Sequence, residues 1–128
     1  MKPITLQNFA EGKWVPGSGG LAELRSAIDG EVVALTSSQG LDFAAMLKHA
    51  REEGGPALRA LTFHQRALML KALVDALTAK KEALYELSYN TGATKADSWI
   101  DSDGGIGTFA VYQGKGRREL PNAPKPGA

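Results

Sequence analysis

The sequence predicts an α+β chain, mostly helical, with two small β-hairpins towards its N-terminus. Three observations predict it. Turn signals crowd the first third, at Glu11-Gly12, at 16–20 and at Asp29-Gly30. From Leu41 onward apolar residues recur at helical spacing instead of alternating. Thr62 and Thr94 stand where helix caps belong, Thr62 with Gln65 three residues later. A length of 128 residues fits one domain or a piece of a larger one.

The elements follow in order. Residues 6–9 and 13–15 flank Glu11-Gly12 and read as a first hairpin, closed by the run Pro16-Gly-Ser-Gly-Gly20. Residues 24–28 and 31–35 bracket Asp29-Gly30, a two-residue hairpin signal, so hairpins occupy 6–36. A helix is then expected from Leu41 to about Glu53, with Gly54-Gly55 stopping it. Pro56 suits the first position of a short helical turn through Leu61.

Behind the Thr62 cap, Phe63, Ala67, Leu70, Val74 and Leu77 make one stripe, widened by Leu68, Ala72, Leu73 and Ala76. That is broader than a single solvent-facing helix needs, so neighbours are expected on more than one side. After a break near Thr78, residues 80–89 read as a helix with Ala83, Leu84 and Leu87 inward, ended by Asn90-Thr91-Gly92. Thr94 caps a last long helix running to about Tyr112 or Gly114, so helices occupy 41–114. The tail 121–128 holds three of the six prolines and reads as an extended connector.

The bulk numbers exclude several classes of function. With 43% hydrophobic and 23% charged residues and a formal charge of +1, the composition is that of an ordinary globular protein. The one basic knot, Lys115-Gly-Arg117-Arg118, is better read as a solvated helix end than as a nucleic-acid footprint. No apolar run is long enough to span a membrane or to form a secretory signal, which favours a cytoplasmic setting. There is no cysteine, which removes disulfides, thiolate metal ligands and thiol nucleophiles from these residues.

Two motifs imitate sites. Residues 105–110 spell G-x-G-x-x-A, but a dinucleotide fingerprint needs a strand before it and a helix opening at it. Here the acid-rich stretch 97–103 precedes it and would repel phosphate. Asp101-x-Asp103 resembles the start of a calcium loop, yet Ile106 replaces the turn glycine and Tyr112 the closing acid. His49 and His64 have no second ligand at metal spacing. By residue chemistry alone, catalytic, cofactor-binding and metal-binding residues are expected to be absent.

Several separated segments, in order, carry a resemblance. "NFAEGKWVPGSG", "SAIDGEVVALTSS", "ALRALTFHQRALMLKALVDAL" with Arg66 and Leu70, and "YELSYNTGATKADSWID" resemble the N-terminal region of the aldehyde dehydrogenase superfamily. The wording of "EGGPALRALTFHQRA", "TGATKADSWIDSDGGIGT" and "RELP" is similar to the branch in the bifunctional ring-opening proteins of phenylacetate degradation. The semialdehyde dehydrogenases of the related benzoyl-CoA pathway are the nearest alternative.

The resemblance implies that residues 1–120 form an N-terminal segment of a cofactor-binding domain, part of an α/β aldehyde dehydrogenase fold. Residues 121–128 would lead towards the remainder of the polypeptide. It implies NADP- or NAD-dependent oxidation of a coenzyme A-linked semialdehyde to its carboxylate, by a cysteine thiolate, amide donors for the oxyanion and a glutamate that activates water. None of those parts can be assigned in these residues, so the chain alone is expected to be inactive and to bind no cofactor. Its partners would be the rest of the same polypeptide and a homo-oligomer, with no nucleic acid and no membrane. A stand-alone helical interaction module without catalysis is the alternative.

Glycines pose the remaining question. Gly104, Gly105 and Gly107 stand inside an expected helix at a cost of about 3 kcal/mol relative to alanine. In the family the matching helix lines the mouth of the aldehyde-entry tunnel, and enzymes for small aldehydes tend to carry a bulky side chain where Gly104 stands. Ile100, Gly104 and Gly107 are therefore the expected substrate-tunnel residues, with the glycines leaving room for a long coenzyme A-linked chain. The competing account is that Gly105 and Gly107 only permit close helix packing. Some family members hold a monovalent cation near the cap matching Asn90, where they often carry aspartate. Asn90 lacks that charge, and no metal is expected.

Overall fold

Short strands fill the N-terminal part of the computed structural model, which describes residues 3–123. Strand β1 (Ile4–Thr5) runs parallel to β5 (Val32–Thr36), with Ile4 opposite Ala34 and Thr5 opposite Leu35. Strands β2 (Gln7–Ala10) and β3 (Lys13–Pro16) form the first expected hairpin. Its turn residues Glu11 and Gly12 take φ of 48° and 80°, the left-handed pair that a tight hairpin turn requires. Phe9 faces Trp14 across the pair, and their rings meet edge to face at 5.1 Å.

Strand β4 (Ala22–Arg25) pairs antiparallel with β5, giving the order β1-β5-β4. This second hairpin differs from the expected one. Strand β4 starts and ends earlier, and residues 26–31 connect the strands in place of a two-residue turn. The Asp29-Gly30 turn exists within that loop: Glu31 N donates to Asp29 Oδ1 at 3.1 Å and Gly30 N to Ser26 O at 2.9 Å. The loop buries Ser26, whose N donates to Glu31 O at 2.9 Å, so one further bond joins the two segments beyond the strands. The parallel β1 strand was not anticipated, because a two-residue strand paired across almost thirty residues leaves no local signal.

Helix α1 (Phe43–His49) is capped by Asp42, whose Oδ1 accepts from Ala45 N at 2.9 Å. Gly54-Gly55 does not stop the helical path. A π turn covers Ala50–Gly54, and α2 (Gly55–Arg59) begins at the second glycine. Neither glycine takes a positive φ, so the left-handed cap that ends helices is not made. The pair instead marks the division between two compact units. One unit runs up to Gly54 and takes in Asn90–Gly92, and Ala27 N donates to Asn90 O at 2.7 Å within it. The other comprises Gly55–Tyr89 and resumes at Ala93.

The second unit is a helical bundle. Helix α3 (Phe63–Thr78) has the full capping box at Thr62 and Gln65. Of its apolar stripe Ala67 is buried, while Phe63, Leu70, Val74 and Leu77 are half-buried; the last helix, Lys95–Arg118, is the principal packing partner of α3. The widening residues Leu68 and Leu73 are exposed among the described residues. Helix α4 (Lys81–Tyr89) is rotated from its expected setting. Ala83 and Leu87 point outward, and Tyr85 is buried with Leu84 and Lys81 beside it. Gly92, with φ 83°, follows as the expected cap glycine.

Helix α5 (Lys95–Arg118) starts at Thr94 as expected but continues past Gly114. Two features carry the extra turn. Lys115, Arg117 and Arg118 offset the negative end of the helix dipole, and Gly116 lies tight against Ala67 of α3. The expected connector lies mostly outside the described residues; 121–123 form no regular element.

Candidate functional site

Helix α5 carries the expected tunnel residues. Its capping box closes with Asp97 N donating to Thr94 Oγ1 at 3.2 Å and Thr94 N donating to Asp97 Oδ2 at 2.9 Å. The Thr94 hydroxyl, donating to Asp97 Oδ2 at 2.7 Å, and then the Thr94 amide hold the Asp97 carboxyl below its usual value of 3.8. Ser98 is completely buried and its hydroxyl donates to Thr94 O at 2.9 Å. From this fixed start the helix separates into two faces.

The inward face holds Ser98, Ile106 and, half-buried, Ser102 and Asp103. Asp103 is the centre of a cluster that sequence reasoning missed. Its Oδ1 accepts from Lys81 Nζ and its Oδ2 from the Tyr85 hydroxyl, both across from α4. The Lys81 bond first, then the Tyr85 bond, hold the Asp103 carboxyl below its ordinary 3.8. The same carboxylate raises Lys81 above 10.5 and, ahead of burial, Tyr85 above 10.0. The Tyr85 hydroxyl serves as a donor to Asp103 Oδ2. The one available signal was the i, i+4 spacing of Lys81 and Tyr85, which puts two donors on one face of α4.

The outward face carries Ile100, Gly104, Gly107 and Val111, spaced i, i+4, i+7 and i+11 along one stripe. The structure therefore brings the three expected residues together and adds Val111. Ile100 and Val111 are 60% and 55% exposed. A Cβ added at Gly104, Gly105 or Gly107 would meet nothing within 4 Å. Close helix packing is not what these glycines serve within this chain. The glycine that does serve packing is Gly116, whose added Cβ would stand 3.0 Å from Ala67 Cβ. Thr108 Oγ1 donates to Gly104 O at 3.0 Å.

The two imitation motifs are now placed. Residues 105–110 lie in the interior of α5, with helix on both sides and no strand before them. They do not fit a dinucleotide, whose phosphates need free amides at a helix start. Asp103 is engaged with Lys81 and Tyr85, so Asp101-x-Asp103 does not converge on a cation. Among the described residues no three His, Asp or Glu side chains gather as metal ligands would. The His64 ring is tied through Nε2 to Leu120 O at 3.0 Å. No described helix is long and apolar enough to cross a membrane.

No protein-family model matches the chain. Among curated proteins, the 3,4-dehydroadipyl-CoA semialdehyde dehydrogenase of Aromatoleum evansii is 40% identical over 115 residues, or 89% of this chain. The chain spans 22% of that protein's length. At that identity over nearly its whole extent, the chain is related to a CoA-semialdehyde dehydrogenase, as an aldehyde dehydrogenase-related N-terminal part would be.

Proposed function

We propose that this chain is the N-terminal part of an NADP- or NAD-dependent aldehyde dehydrogenase that oxidises a coenzyme A-linked semialdehyde to its carboxylate during phenylacetate breakdown. The observation that carries the proposal is the 40% identity to a dehydrogenase named for such a substrate. The open stripe of α5 supports it. Between Ile100 and Val111 stand two glycines at which an added Cβ would meet nothing within 4 Å among the described residues, the room that a long substrate chain passing along the helix would need.

This chain's share is to shape and cover. It has no cysteine to attack an aldehyde, and its one dinucleotide-like motif is helix interior. Nucleophile and cofactor site belong to the rest of the parent polypeptide, and the 128 residues alone are inactive. Residues 1–120 form part of the cofactor-binding domain of an aldehyde dehydrogenase fold, and 121–128 lead onward. The exposed Leu68, Leu73, Trp99 and Tyr112 support burial against the rest of that polypeptide and in a homo-oligomer in the cytoplasm.

The test is Gly104→Met in the full-length parent enzyme, with kcat/KM measured for a coenzyme A-linked semialdehyde and for a short aldehyde. The long substrate should lose about tenfold or more relative to the short one. Equal losses for both would rule the strip out as a substrate path. An in-frame stop directly after Ala128, with no dinucleotide unit or reactive cysteine to follow, would favour a stand-alone interaction module.

A further inference from the structure

The open face of α5 raises a mechanical problem. A strip that must present a constant shape is built from residues with the weakest helix preference. Gly104, Gly105 and Gly107 have no side chains, and nothing on their own side would meet a Cβ. Whatever fixes this turn must therefore act from the opposite side. Within residues 103–107 the inward side chains are Asp103 and Ile106.

These two anchors differ in kind. Ile106 is buried by apolar contact, which fixes how close the helix lies but little of how it is rotated. Asp103 is held by two directional bonds, one to each carboxylate oxygen, from donors one turn apart on α4. Charge-assisted bonds of this geometry resist rotation as well as separation. Asp103 also adjoins Gly104 in sequence, so a twist at 103 passes directly to the strip.

We propose that Asp103, clamped by Lys81 and Tyr85, is a positioning residue that sets the rotation of α5 and so aims the Ile100–Gly104–Gly107–Val111 stripe. It touches no substrate. In the enzyme it governs discrimination between long coenzyme A-linked and short aldehydes, a role that rests on the substrate reading given above.

The experiment uses the full-length parent enzyme with Tyr85→Phe, which removes one of the two donors and keeps the buried ring, beside Asp103→Asn and Asp103→Glu. Tyr85→Phe and Asp103→Asn should raise KM for the long substrate about five- to tenfold relative to the short one, with kcat changed less than about twofold. Asp103→Glu should restore part of the loss. A folded Tyr85→Phe enzyme with a lower melting temperature and an unchanged KM ratio would overturn the proposal, because the clamp would then be structural only.

Gly104→Met separates the two ideas. If it shifts the ratio and the clamp variants do not, the positioning role falls and the substrate path stands. If it leaves the ratio unchanged, the substrate path falls, and amide hydrogen exchange decides the clamp. In the 128-residue chain Tyr85→Phe should speed exchange at residues 104–111 relative to α3, and equal rates would refute the clamp.

Discussion

The two faces of α5 treat the same residue type in opposite ways. On the inner side Gly116 is demanded by a neighbour: a Cβ there would press on Ala67 at 3.0 Å. On the outer side, an added Cβ at Gly104 or Gly107 would meet nothing within 4 Å among the described residues. One glycine is explained by a neighbouring side chain, and the others are not. The contrast teaches that a glycine count says little until each position is asked what its missing side chain would meet.

Substitutions on each face can break or sharpen that contrast. The largest effect is expected at the inner side. Gly116→Leu should destabilise the 128-residue chain by about 1–3 kcal/mol through overpacking against Ala67, read from urea unfolding. A neutral result would mean that α3 and α5 do not pack as tightly as described.

Next comes the clamp, read through pH. The depressed Asp103 carboxyl contributes stability that is present above 3.8 and is lost as pH falls below that value. The raised Lys81 contributes stability that is present below 10.5 and is lost as pH rises above it. Tyr85, kept neutral in the fold, adds to the alkaline loss above 10.0, where the unfolded chain ionises first. The urea midpoint should therefore be flat between these limits and fall at both ends. Asp103→Asn should lower the plateau and make the acid fall shallower, with Asp97 and Asp29 carrying what remains. Superimposable acid limbs in the two proteins would contradict the clamp.

The smallest effect has the opposite sign. Gly104→Ala adds a methyl group to open space in an exposed helix, and should stabilise the chain by about 1 kcal/mol. A loss of stability would show that the outer side is more crowded than the structure has it.

Much of the fold was legible, and the reasons differ by element. The Glu11-Gly12 hairpin, the α3 stripe and the caps at Thr62 and Thr94 were readable because each rests on neighbours within a few residues. The setting of α4 was not. Its apolar residues suggested Ala83 and Leu87 as the inner side, but a carboxylate on another helix draws Lys81 and Tyr85 inward instead. The reach of α5 beyond Gly114 was hidden for a similar reason, since Gly116 is stabilised by contact with Ala67 and not by its own preference. Gly54-Gly55 carries the signal of a helix end but marks a boundary between units, because neither glycine takes the left-handed conformation. For the candidate site, the resemblance points to Ile100, Gly104 and Gly107, which share one face of α5, whereas the Asp103 cluster with Lys81 and Tyr85 has no comparable signal in the sequence.

The bond from Ala27 N to Asn90 O has a consequence for timing. The strand-rich unit takes in Asn90–Gly92, so it is completed by a segment that leaves the ribosome only after α2, α3 and α4 have been made. Closing so long an intervening loop slows assembly more than it weakens the product. Within these residues the strand-rich unit therefore closes only after the three helices between its two segments have been made.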